Sequence, residues 1–219
     1  MGLPENSSRQ KPLLRGVLHE VAASVAAVAG GLLVFRATGA RARAGAIVYG
    51  ISLVALFVTS ALYHRPNWTE KVRAVWRRLD HSAIFLLIAG TYTPFAFLLG
   101  SRAGWILLGV VWAGAIAGIV LSVAWVRAPK ALVAGVCVLL GWAALPLLPA
   151  LRAALGTGAI ALLAAGGVVY SLGAVVYAVK RPDPFPRVFG YHEIFHSLVI
   201  AAAVCHFAVV ARAVSALSA

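Results

Sequence analysis

Seven runs of about 20 mostly apolar residues, joined by short polar connections, decide what this 219-residue chain can fold into. They lie at roughly 17–35, 44–63, 81–100, 103–124, 131–149, 157–179 and 191–211. Hydrocarbon offers no partner to a free backbone N–H or C=O, so each run must close its own hydrogen bonds as a helix. Short connections favour sequentially adjacent, antiparallel helices. Composition agrees: 62% of residues are hydrophobic and 11% charged, where a soluble domain carries about a quarter charged. The expected fold is all-α, a polytopic membrane protein with a seven-transmembrane-helix bundle. A polar tail over 1–15 precedes a single domain over 16–212.

The net charge of +13 does not indicate nucleic acid, because the basic residues are scattered through the short connections rather than gathered in a patch. That placement records membrane orientation. Of 19 Lys and Arg, 13 fall on the tail and the second, fourth and sixth connections, and 6 on the opposite side. The excess predicts a cytoplasmic N-terminus and an outside C-terminus, the reverse of ordinary seven-helix receptors. No cleavable signal peptide is expected, and the location is the plasma membrane as a multi-pass protein.

Several features read as packing. Cys137 and Cys205 sit inside apolar runs and lack zinc-motif spacing. The glycosylation triplets at Asn6 and Asn67 are short patterns that recur by chance. Gly114 and Gly118 suit close helix packing first and a homo-oligomer second. Pro94 should kink the third span by removing a backbone bond near Gly90, with Thr91 and Thr93 able to satisfy the freed carbonyl.

Ionisable residues inside a membrane mark function. His64 closes the second span, Asp80 and His81 open the third, and His192 and His196 open the seventh. By the charge count all five lie at cytoplasmic helix ends, so three distant segments deliver ligands to one depth. His192 and His196 are one helical turn apart, with a rise of roughly 6 Å between them. Both imidazoles can reach one ion, and His64 supplies a third nitrogen. Asp80 can ligate directly or hold a metal-bound water; three protein ligands plus water is the open arrangement of a catalytic zinc. Ser60 shares a face with His64. His206 lies roughly 15 Å beyond His196 and takes a packing or outer-leaflet role. His19 and Glu20 are expected to line the same cavity, and His81 to stabilise the start of its helix or touch a neighbouring loop.

Ser60-x-x-x-His64, then Arg78-Leu79-Asp80-His81-Ser82-Ala83-Ile84-Phe85 running to Ala89-Gly90-Thr91-Tyr92-Thr93-Pro94-Phe95, then His192-Glu193-Ile194-Phe195-His196, resemble the bacterial hemolysin III family. That family groups with the progestin and adipoQ receptors, which include the adiponectin receptors, and more distantly with alkaline ceramidases. The resemblance runs from about Arg15 to Val210. It implies seven helices with a cytoplasmic N-terminus, in agreement with the charge count. It implies zinc on His64, His192 and His196, with Asp80 positioning the metal-bound water and Ser60 beside it. Related eukaryotic members hydrolyse a lipid amide such as ceramide; the bacterial ones carry the hemolysin name and roles in lysis or membrane homeostasis.

Three functions follow as expectations. The first is zinc-dependent hydrolysis of a membrane-lipid amide, with Asp80 and Ser60 as catalytic residues and Arg65 or Arg187 drawing an anionic headgroup. The second reads His192-Glu193-x-x-His196 literally as an intramembrane zinc protease with Glu193 as base. The third is a sensor or pore-forming protein with structural zinc, although the apolar outer halves of the spans offer no continuous polar path.

Overall fold

A computed structural model describes residues 11–125 and 128–219; Asn6, Arg9 and Arg127 lie outside them. Among the described residues the regular structure is helical, in the order α1 (Val17–Arg36), α2 (Ala40–His64), α3 (Glu70–Leu99), α4 (Arg102–Ala124), α5 (Lys130–Gly141), α6 (Leu148–Leu155), α7 (Thr157–Val179) and α8 (Tyr191–Ser218). Seven spans are long and apolar enough to cross a membrane, α5 and α6 together forming the fifth across Ala131–Leu155. The chain is a seven-helix membrane bundle.

Local sequence explains where these helices stop. Gly100 takes the left-handed conformation (φ 56°) just past α3, where a side chain is disfavoured. Ser101 then caps α4, its hydroxyl accepting from the Gly104 N–H at 3.2 Å. The third helix begins ten residues before Asp80, whereas its apolar run opens at 81. Five of those ten residues are charged, so hydropathy does not register them, yet Glu70 suits the positive N-terminal end of the helix. Asp80 and His81 therefore stand well inside α3, roughly 15 Å from its start, not at its opening.

The fifth span is one run in sequence and two helices in space. Pro146 disfavours helical backbone at the residue before it, and a 3₁₀ turn over Leu145–Leu147 separates α5 from α6. The break frees carbonyls in an apolar setting. Tyr92 satisfies them: its hydroxyl donates towards the carbonyls of Leu140 (3.1 Å) and Gly141 (2.7 Å) and accepts from the Ala144 N–H (3.0 Å).

Pro94 lies inside α3, which continues to Leu99. Thr91 and Thr93 donate to Leu87 and Ala89 at 2.7 and 2.9 Å, one turn back from each. Neither reaches the Gly90 carbonyl that the proline leaves free. The threonine hydroxyls are bound within α3 instead, each to the carbonyl four residues back, a local bond of the kind that bends helices.

Two apolar clusters hold the bundle. One joins Tyr49, Leu53 and Phe57 of α2 to Val209, Val210 and Ala213 of α8. The other joins Phe85 and Tyr92 of α3 to Val111 and Ala115 of α4. Over half of the α2 and α3 spans is buried, against 6% of the fifth, so α2 and α3 form the centre and lipid covers the rest. Large apolar side chains such as Phe35, Val120 and Leu139 stay exposed, as a lipid-facing surface requires. Gly118 packs on the ring of Phe85 and Gly114 on Leu140, so both glycines serve contacts within the chain.

Candidate metal centre

Three helix ends build the site. His64 is the last residue of α2. Gly190 precedes α8, and the Glu193 carboxylate accepts from the Gly190 N–H at 2.9 Å, which fixes the first turn that carries His192 and His196. α3 brings Asp80 alongside.

His64 Nε2 stands 3.1 Å from His192 Nε2. One ring nitrogen from each of His64, His192 and His196 lies within 4.8 Å of the others, so these three residues can hold a metal ion. His192 and His196 are buried. Three imidazole nitrogens gathered in apolar surroundings each need a partner, and one cation supplies all three.

Asp80 Oδ2 is 4.0 Å from His64 Nε2 and 3.8 Å from His81 Nδ1. Ser60, buried, stands beside the Asp80 carboxyl. His19 Nδ1 meets Ser60 Oγ at 2.8 Å, and the His19 ring stacks on His196 with centroids 3.8 Å apart and planes 6° from parallel. Ser60 thus stands between His19 and Asp80.

Not every expected residue arrives. Glu20 turns away from this cavity to pair with Arg65 at 3.2 Å, both side chains more than half exposed; it follows His19 by one residue, and on a helix that points it about 100° round. His81 bonds back along its own helix to the Arg77 carbonyl at 2.7 Å. His206 does the same to Ala202 at 2.9 Å, against Gly166 on α7. The first of these leaves His81 beside Asp80 rather than at the start of α3.

Glu193 is committed elsewhere. It is 1% exposed, and Oε1 accepts from Arg15 Nε at 2.6 Å. Arg15 belongs to a strap that the sequence shows only as a polar tail. The Leu13 and Leu14 N–H groups donate to the Arg187 and Val188 carbonyls at 3.0 and 3.3 Å. Lys11 Nζ donates to the Pro66 carbonyl at 2.8 Å. Partial burial and nearby Arg73 and Arg15 hold the Lys11 ammonium below its ordinary pKa. Gly16, at φ 82°, packs on His64 and Arg65 so closely that a side chain there would press on their backbone. The strap thus crosses the metal end of the bundle and is tied to α2, α8 and the connection before α8.

Comparison with known proteins follows this geometry. The family model described as Haemolysin-III related matches residues 7–207. The chain belongs to the haemolysin-III-related family. Among curated haemolysin-III relatives it is 36% identical to the hemolysin-3 homolog of Bacillus subtilis over 163 residues, 73% of this chain and 72% of that one. It is 37% identical to hemolysin-3 of Bacillus cereus, over 70% of this chain and 67% of that one. The adiponectin receptor protein of Drosophila melanogaster is 31% identical over 74% of this chain and 40% of the receptor. The haemolysin-III-related chain is a multi-pass membrane protein, which in a bacterium means the plasma membrane.

Proposed function

We propose that the protein is a zinc-dependent hydrolase of a lipid amide, with its reaction centre inside the cytoplasmic leaflet. The observation that carries this reading is the convergence of three imidazoles from α2 and α8 with a carboxylate from α3. Two zinc–nitrogen bonds of about 2.0–2.1 Å at a tetrahedral angle set their nitrogens roughly 3.3 Å apart. The His64–His192 separation of 3.1 Å fits that value. An all-nitrogen donor set suits zinc better than the oxygen-seeking cations.

When bound by His64, His192 and His196, zinc supplies a Lewis acid for the amide carbonyl and a lowered pKa for water. The remaining work belongs to the protein. Asp80 Oδ2 accepts the proton of the attacking water and returns it to the departing nitrogen, so the C–N bond breaks as the C–O bond forms. Ser60, held by His19 at 2.8 Å, stands beside Asp80 and orients its carboxyl. Glu193 takes no part as a base, because Arg15 and the Gly190 N–H occupy both of its oxygens.

The test joins metal analysis of purified protein to a hydrolysis screen of lipid amides, ceramides included. About one zinc per chain is expected, absent in His64→Ala. Asp80→Asn should keep the metal and lose activity by about 10²-fold or more, the usual worth of a general base. Zinc-replete protein that cleaves no lipid amide would sink the enzymatic reading. A structural reading also has an observation behind it, since the triad ties the end of α2 to the start of α8 across 128 positions. It predicts loss of the folded bundle on chelation, without turnover before it.

A further inference from the structure

The end of the bundle opposite the metal centre has a charge pattern with no internal resolution. It carries Arg36, Arg41, Arg43, Arg102, Arg152 and Arg212 and no Asp or Glu. The described carboxylates, Glu20, Glu70, Asp80, Asp183 and Glu193, all lie towards the other end. Among the described residues none of the six arginines forms an ion pair. No side-chain carboxylate on this face offsets them, which leaves them open to an anion from outside the chain.

A groove of about 340 Å³ opens at this end between α1 and α8. Leu32 of α1 and Phe207 and Ala211 of α8 line its apolar length; Arg36, Ser215 and Ser218 line its polar end. From Phe207 to Ser218 the helix rises roughly 16 Å, so the groove passes from apolar to cationic over about half a bilayer's hydrocarbon. Its volume falls within the ~300–1,000 Å³ range of small-molecule sites. The polar end is built rather than loose. Thr38 donates from its N–H to Ser218 Oγ (3.1 Å) and from its hydroxyl to the Ser218 carbonyl (2.9 Å), clasping the α1–α2 connection to α8. Arg36 stays exposed beside it.

We propose that this groove is a binding site for an anionic phospholipid, one acyl chain lying along Leu32, Phe207 and Ala211 and the phosphate on Arg36 and Ser215. Only α1 and α8 line the groove, so its side is open to the bilayer and the lipid's second chain stays there. A zwitterionic headgroup brings an ammonium to a face that holds six guanidiniums, which disfavours it. The site is independent of the metal centre and of the reaction proposed there.

Native mass spectrometry of the full-length protein, titrated with phosphatidylglycerol or phosphatidylcholine of identical chains, tests the assignment. The expected result is a one-to-one adduct with at least a tenfold preference for phosphatidylglycerol. Arg36→Gln should remove most of that preference. Ala211→Trp should fill the groove and weaken both lipids. Arg102→Gln, on the same face but outside the groove, should change nothing. Equal retention of the two lipids, wild-type binding by Arg36→Gln, or an equal loss in Arg102→Gln overturns the proposal. So does a lipid-free dimer in which a second copy covers the groove.

Discussion

The two ends of this bundle handle charge in opposite ways. At the metal end four of the five described carboxylates have something to meet: Glu193 has Arg15, Glu20 has Arg65, Asp80 has two nearby imidazoles, and Asp183 accepts from the Tyr191 N–H at 3.0 Å. At the other end the cations stand without carboxylates. Burial accounts for the partners of Glu193 and Asp80, though not for the exposed Glu20–Arg65 pair. A charge held among packed helices must find its partner within the protein, whereas an arginine at the membrane surface can take its partner from the lipid. The carboxylates cluster at the site end, while both ends carry surplus cations that face the membrane surface.

If the ends are independent, substitutions at one should leave the other's readout untouched. The largest effect is expected from His192→Ala, which removes a metal ligand. Zinc content should fall to background and affinity by more than about 100-fold, beyond the usual cost of losing an outer contact, while lipid adducts persist unchanged. Gly118→Val comes next. Its side chain would collide with the Phe85 ring, and overpacking of this kind costs about 1–3 kcal/mol. A thermal melt in detergent should drop by several degrees with zinc stoichiometry preserved; loss of metal would show that the α3–α4 packing reaches the site.

His19→Phe sharpens the comparison within the metal end. It keeps the stacking on His196 but removes the bond to Ser60, so metal affinity should weaken by about tenfold, as a second layer of support does. Competition with a chelator reads it directly, and an unchanged affinity would remove His19 from the site. The smallest effect belongs to Glu193→Gln. Glutamine can still cap α8, so zinc content and turnover should stay within about twofold of wild type. The loss falls on the strap, whose segment before Val17 should become easier to cleave in limited proteolysis. Near-complete inactivation with zinc retained would instead restore Glu193 as a base.

Legibility in the sequence follows the kind of signal involved. Apolar length marked the seven spans, and the one-turn spacing of His192 and His196 together with the depth of His64 and Asp80 marked side chains that the fold brings together. Both are patterns of side-chain type, which a sequence displays. The strap was not legible, because Leu13 and Leu14 hold Arg187 and Val188 through backbone groups that every residue owns. The Arg15–Glu193 pair joins positions 178 apart, and nothing local to either announces the other. The start of α3 was missed because charged helix has no hydropathy signature. Tyr92 sat in a block read for its proline; its part in mending the broken fifth span appears only once α3 and α5 are neighbours.

The strap also has a meaning in time. Arg15 leaves the ribosome 178 positions ahead of Glu193, and His64 leaves 128 positions ahead of His192. At roughly 5–20 residues per second, His64 waits on the order of ten seconds before His192 exists. A chain that stops short of α8 has one metal-binding imidazole of three and an arginine with nothing to clasp. Closure of the strap, and assembly of the three-histidine cluster, therefore both wait until α8 is made.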